Sequence, residues 1–257
     1  MEGSSMVIIG VPISPQTEYL LEKFLKNQKE IQEKTRVDVK TVFATEDEQF
    51  AKKLRTCCKE YGINCEVILF EAKRPLNAKN RIWNIVAARN AIRDYFLNSN
   101  AEYLVFIDSD MIFDPDILNK LIEKVKKGYD VVYNGYLDKD GLGINLTGFG
   151  GTLIKRRVME KIVFRCKENN GRVIDEAVFF EIDLFKMGAK VFRSFLAYNE
   201  HHGKTIAICH PRELKLTEKI RNSPYFRVPI HMISATLGYD LLRGIKNAII
   251  KLKKFTL

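Results

Sequence analysis

The sequence predicts an α/β fold, with a mostly parallel sheet flanked by helices and an amphipathic helical tail at its C-terminal end. Three observations carry that prediction. Strand-like and helix-like patterns alternate from Met6 onward, as they do where crossover helices join parallel strands. Residues 103–107 (Tyr-Leu-Val-Phe-Ile) form an unbroken apolar run of the kind found in strands buried on both faces. Tyr239, Leu242, Ile245, Ile249 and Leu252 recur at helical spacing near the end of the chain.

Residues 6–11 read as a short apolar strand closed by Pro12. A helix follows at 18–31, with Tyr19, Leu20, Phe24 and Ile31 at helical spacing. Residues 37–44 alternate as a second strand, 48–61 form a helix ended by Gly62, and 65–70 form a third strand. After a polar stretch at 71–80, a long helix is expected at 82–97, with the stripe Ile82, Ile85, Val86, Ile92 and Phe96. Arg89 falls on that stripe. A guanidinium facing a core needs an anionic partner, either a structural carboxylate or a ligand phosphate. Beyond the 103–107 strand, Asp114 suits a helix N-cap and Pro115 the first helical position. Ile117, Leu118, Leu121, Ile122 and Val125 form the buried face of that helix, and Gly128 ends it. Residues 130–136 are the next strand, 138–151 a glycine-rich loop, and 152–163 a strand with a short basic helix. Asp175 and Glu176 precede a helix that ends at Met187 with Gly188 as its cap. Residues 189–195 are the last strand, and Glu200, His201, His202 and Gly203 follow it.

The 257 residues are 46% hydrophobic and 29% charged, which suits one folded core and excludes a disordered chain. The expected organisation is a domain over 6–222 and a basic helical tail over 223–257, with the boundary near Ser223 and Pro224. None of the five cysteines forms a CxxC pair, which argues against a disulfide framework or a zinc site and for a reducing, cytoplasmic setting. No signal-peptide layout opens the chain, and no apolar run approaches the roughly 18 residues that cross a bilayer. The formal charge of +10 suits anionic partners such as nucleotide phosphates or acidic lipid. In the tail, Arg243, Lys246, Lys251, Lys253 and Lys254 face only Asp240. A basic amphipathic helix of this kind reads as a membrane-surface element, or as a terminal helix packed on the body or in a homodimer interface.

The chemistry centres on Asp108-Ser109-Asp110 at the end of the buried strand. Residues two apart in extended chain point the same way, so two carboxylates face one site at the carboxyl edge of the sheet. A hard divalent cation takes such carboxylates together with phosphate oxygens of a substrate, and offsets the charge of a departing diphosphate.

Arg89-Asn90 on a helix, then Tyr-Leu-Val-Phe-Ile-Asp-Ser-Asp, then Phe-Asp-Pro-Asp before a helix, resemble the GT-A glycosyltransferases, most closely family 2. The resemblance covers roughly residues 6–203 and implies a Rossmann-like GT-A fold, with a nucleotide-binding half (6–110) and an acceptor-binding half (111–222). It implies a metal-dependent transfer of a sugar from a nucleotide-diphosphate donor, UDP- or GDP-linked, to an acceptor hydroxyl, glycan or lipid-linked, with inversion as the default. By resemblance, Val11, Pro12, Thr45 and Glu46 contact the nucleoside, and Arg89 lies near the diphosphate or base. Asp108 meets ribose or metal, and Asp110 is the principal ligand of Mn2+ or Mg2+. Gly150 and Gly151, within Gly148-Phe149-Gly150-Gly151-Thr152, line the donor sugar and acceptor. Lys155-Arg156-Arg157 reads as a solvated basic face or, second, as a ligand contact. Asp175 and Glu176 resemble the acidic pair that supplies the base, in the order Asp-Glu where the family has Glu-Asp, so either carboxylate fits and Asp175 is slightly favoured. A histidine after the last strand serves many members as a further metal ligand; His202 is favoured over His201.

Two other functions fit parts of the pattern. A nucleotidyltransferase also combines an α/β sheet, carboxylates and a metal, but no glycine-rich, basic triphosphate loop occurs early in the chain. A non-catalytic protein holding membrane or nucleic acid would use the charge alone, yet no nucleic-acid motif is present and aromatics do not interleave with the lysines.

Overall fold

The computed structural model describes residues 6–72, 81–141, 143–169 and 172–237. The helix expected at 239–257 lies outside the described residues. In chain order the elements are β1 (Met6–Pro12), a 3₁₀ turn (Pro15–Leu20), α1 (Leu21–Lys34), β2 (Asp38–Thr45), α2 (Glu48–Glu60), β3 (Cys65–Leu69), α3 (Ile82–Leu97), β4 (Tyr103–Phe106), β5 (Met111–Phe113) and α4 (Ile117–Lys126). There follow β6 (Val131–Asn134), β7 (Tyr136–Leu137), β8 (Ile144–Asn145), β9 (Thr152–Lys155), α5 (Arg156–Met159), β10 (Lys167–Asn169), β11 (Arg172–Ile174) and α6 (Glu176–Lys186). The chain continues through β12 (Val191–Ser194), β13 (Asn199–His202), β14 (Ile206–Cys209), α7 (Leu216–Arg221) and α8 (Pro224–Leu237).

The main sheet has seven strands in the order β12-β6-β9-β4-β1-β2-β3. Its neighbours run parallel except at β9, which is antiparallel to both β4 and β6. This is the mostly parallel α/β arrangement that the alternating pattern predicts. Side chains of β1 alternate across the sheet: Val7, Ile9 and Val11 enter a core beneath α1, α2 and α4, while Ile8 enters a second core beneath α3, α5 and α6. On that second side α3 lies close to the sheet because Gly10 has no side chain. A Cβ there would come within 2.5 Å of Ile92.

A smaller sheet, β14-β13-β5, covers one end of the molecule. The short apolar step after Asp110 is its strand β5, clamped on the other side by Asn27. That amide donates to the Phe113 carbonyl at 2.7 Å and accepts from the Phe113 amide at 3.0 Å. The hairpin β13–β14 and strand β5 escape a pattern-based reading because β13 (Asn-Glu-His-His) is polar and β5 is three residues long.

Two local expectations are corrected. The helix after Asp114 starts at Ile117 with Asp116 as N-cap; Asp114 instead accepts from the Asp116 amide at 3.1 Å, an Asx turn that leads into the helix. The basic run at 155–157 is only partly a solvated face, since Arg157 is exposed while Arg156 and Lys155 are half-buried. Arg156 donates to the carbonyls of Phe96, Leu97, Ser99 and Ala101, closing the end of α3, and Arg157 and Lys155 pair with Asp130. Helix α8 packs on the body. Val228 of α8 is buried with Ile174, Val178 and Ile182, and Arg227 donates to Thr147 Oγ1 at 2.8 Å.

Candidate active site

A cleft of about 400 Å³ opens at the carboxyl edge of β1, β2 and β4. It is lined by Pro12, Gln16, Thr17, Tyr19, Glu46, Phe70, Arg81, Asn84, Arg89, Asp108, Ser109, Asp110, Lys139 and His201, among others. Ligands of open α/β sheets bind at this edge, because the strands end there and the loops that follow are free to diverge. Asp108, Ser109 and Asp110 form the turn between β4 and β5, tied by the Met111 amide donating to the Asp108 carbonyl at 3.0 Å. Ser109 Oγ lies 3.1 Å from Thr17 Oγ1, so the 3₁₀ turn after β1 closes over this turn.

Arg89 explains its place on an apolar stripe. Its side chain is only 5% exposed and reaches two carboxylates: Nη2 donates to Asp108 Oδ1 at 3.0 Å, and Nη1 donates to Glu176 Oε1, itself 6% exposed. The guanidinium also lies over the Phe149 ring, 4.2 Å from its centroid. Burial pulls the Arg89 pKa down, and the carboxylate of Asp108 resists that shift. Glu176 Oε2 and Arg89 Nε have no hydrogen-bond partner among the described residues.

Asp110 sits in different company. Lys139 donates to its Oδ2, and His201 Nε2 is 3.7 Å from its Oδ1. His201 lies opposite Met111 in the β5–β13 register, which brings its ring beside Asp110. Its Nδ1 is 2.9 Å from the Leu137 carbonyl. A carbonyl only accepts, so in the neutral ring Nδ1 carries the proton and Nε2 presents a lone pair toward Asp110. His202 is on the other face of β13, as the two-residue period of a strand requires. Its Nε2 bonds Glu200 at 2.8 Å, and only its backbone amide meets Asp110, at the carbonyl. The imidazole at Asp110 is therefore that of His201, not His202.

The remaining predicted residues divide. Pro12, Glu46 and Arg89 line the cleft; Glu46 accepts from Asn84. Val11 and Thr45 are wholly buried, with Val11 in the hydrophobic core. Gly150 and Gly151 serve close packing. A Cβ on Gly150 would come within 2.3 Å of Met111 Sδ and 3.4 Å of Asp108 Oδ2, and Gly151 has φ +85°. Asp175 is exposed at the start of α6, where its Oδ1 accepts from the Val178 amide at 3.1 Å. Thr17, Arg81, Asn84 and Lys139 were not legible as site residues; Lys139 lies in what reads as a plain glycine-rich loop.

No group of three or more His, Cys, Asp or Glu side chains among the described residues is arranged to hold a metal ion by itself. The donor set nevertheless suits a hard or borderline divalent cation completed by substrate. Asp110 supplies carboxylate oxygens, the His201 tautomer supplies a free ring nitrogen, and Asp108 stands two residues away. Such cations are commonly held by one or two carboxylates plus phosphate oxygens.

The sequence of residues 47–172 matches the profile of Glycosyl transferase family 2. The fold is similar to that of TarS of S. aureus, solved with UDP-GlcNAc, at 14% identity and a TM-score of 0.52, over 82% of this chain and 60% of that one. It is equally similar to the mannosyltransferase PcManGT of Pyrobaculum calidifontis, solved with GDP-Man and Mn2+, at 16% identity and a TM-score of 0.52, over 74% of this chain and 54% of that one. The chain thus spans less than two thirds of either protein. A putative glucose-1-phosphate thymidylyltransferase of Bacillus anthracis aligns at 13% identity with a TM-score of 0.48, over 87% of this chain and 95% of that one, a likeness too loose to weigh. No curated protein matches the sequence. Over residues 47–172 the chain is similar to family 2 glycosyltransferases, and its fold is of the GT-A kind.

Proposed function

We propose that the chain transfers a sugar from a nucleoside-diphosphate donor, UDP- or GDP-linked, to an acceptor hydroxyl with inversion, and that Mn2+ or Mg2+ assists. The observation that carries this reading is the placement of Asp108, Asp110 and His201 together at the mouth of a cleft on the carboxyl edge of the sheet. The relatives of similar fold that were solved with UDP-GlcNAc and with GDP-Man and Mn2+ support the donor class and the metal. When bound, the metal would supply Lewis-acid stabilisation of the departing diphosphate. Asp110 and His201 would hold it, with Asp108 close by and held by Arg89. The part of the cleft lined by Glu46, Phe70, Arg81 and Asn84 is where the nucleoside would lie.

Asp175 is the base in this reading. It is exposed at the start of α6, where the next residue, Glu176, reaches Arg89 of the cleft, and a carboxylate there can accept the acceptor's proton. Glu176 is unsuited to that role because its carboxylate is buried against Arg89. Residues 6–110 then serve the nucleotide and 111–222 the acceptor.

Calorimetry with UDP and GDP, with and without Mn2+, tests the reading. One diphosphate should bind with strong metal dependence, and Asp110→Asn should remove that dependence. Metal-independent binding, unchanged in Asp110→Asn, would overturn it.

Helices α7 and α8 expose apolar side chains. Leu216 and Ile220 of α7, and Tyr225, Phe226, Ile230 and Met232 of α8, are exposed, with Lys215, Lys219 and Arg221 nearby in the chain. No helix among the described residues is long and apolar enough to cross a membrane. We infer a peripheral setting on the cytoplasmic face of a membrane, with a lipid-linked acceptor. The protein should float with vesicles containing anionic lipid and stay behind with neutral ones; equal recovery in both would remove the inference.

A further inference from the structure

The metal reading leaves one cation unexplained. Lys139 donates from Nζ to Asp110 Oδ2, on the oxygen that a divalent ion would need. The pair is inside the cleft, with the Asp110 side chain 14% exposed. The lysine is held there by more than its charge. Its carbonyl accepts from Thr205 Oγ1 at 3.0 Å, which ties it to the β13–β14 turn. Its alkyl stem runs against Gly203, where an added Cβ would stand 3.0 Å from both Cβ and Cδ of Lys139. The same turn carries His201 two residues earlier, so one hairpin presents both the imidazole and the surface on which the lysine rests.

We propose that Lys139 is a tethered counter-ion that neutralises Asp110 in the donor-free protein and competes with the divalent cation for it. The inference rests on the reading of Asp110 as the metal carboxylate. A lysine ammonium is a compact charge on a flexible stem and moves readily between anions. When the diphosphate enters, its oxygens offer Lys139 a second anionic partner within the same cleft. Asp110 is released to the metal, and the lysine adds a positive charge to the leaving group. Metal and diphosphate therefore bind with positive coupling, because each favours the state in which Lys139 has left Asp110. Little metal is held at Asp110 without donor.

The test is Mn2+ binding by calorimetry and by the spin-resonance signal of free Mn2+, for the whole chain, first with the metal alone and then with UDP or GDP. Lys139→Met should bind Mn2+ alone about tenfold or more tighter than the unsubstituted protein, since an adjacent like charge is removed from the ligand carboxylate. Its coupling between metal and diphosphate should shrink by the same factor. Lys139→Arg keeps a charge and should stay weak. Gly203→Ala, which crowds the stem without altering any charge, should shift metal affinity in the direction of Lys139→Met. Equal Mn2+ affinity in Lys139→Met and the unsubstituted protein, with Asp110→Asn abolishing both, would overturn the inference and leave the metal reading standing. If Mn2+ binds none of these proteins even with diphosphate present, the metal reading itself falls, and the competition with it.

Discussion

Asp108 and Asp110 stand two residues apart on one turn and both line the cleft, yet one is held by a buried arginine and the other by a lysine and a histidine. Asp108 accepts from Arg89, a buried guanidinium that also holds Glu176 and lies over Phe149. Asp110 faces the cleft, with a lysine from the loop between β7 and β8 and a histidine from strand β13. One motif thus combines a carboxylate tied to the core through Arg89 with a carboxylate paired to a half-exposed lysine. Motif spacing alone does not distinguish them; the surroundings do.

The largest effect that would sharpen this contrast is loss of the anchor. Arg89→Met leaves Asp108 and Glu176 without their shared partner, and removal of one member of a buried ion pair costs about 3–5 kcal/mol. Urea unfolding should show that loss, whereas Asp110→Asn, which breaks a partly exposed pair, should change stability by less than about 1 kcal/mol. Similar values for the two variants would erase the distinction. Next in size is Asp175→Asn. Turnover should fall by about 10²–10⁴-fold with donor affinity retained, the range expected for a lost general base. A fall in donor affinity instead would move Asp175 from the acceptor side to the donor side.

The anchored half of the site was also the more legible. Helix 82–97 has the bounds the pattern predicts, and the conflict of Arg89 with its apolar stripe announced a buried partner. The two possible partners, a structural carboxylate and a ligand phosphate, are resolved in favour of carboxylates, without excluding a later contact with ligand. The buried face of α4 was read residue by residue, since all five apolar positions are buried. The open half was harder. His201 owes its position to a register between β5 and β13 that links residues some ninety apart, and neither strand has an apolar alternation to reveal it. Choosing between adjacent histidines needs the strand's phase, which is set by tertiary pairing. Lys139 depends on the same hairpin, so it was equally hidden. The glycines at 150 and 151 were legible as special positions, but their special property is close packing against β5.

Strand β9 has a consequence for how the chain folds. It lies between β4 and β6 in the sheet, although it is made after both. Until residues 152–155 have been synthesised, β6 has no path into the sheet and β4 keeps an open edge. The first 106 residues hold β1 to β4 as parallel neighbours, and the later strands must wait for an insertion. Folding should therefore proceed in two stages, with the docking of β9 as the later one and the edge of β4 as the surface most prone to aggregation before it.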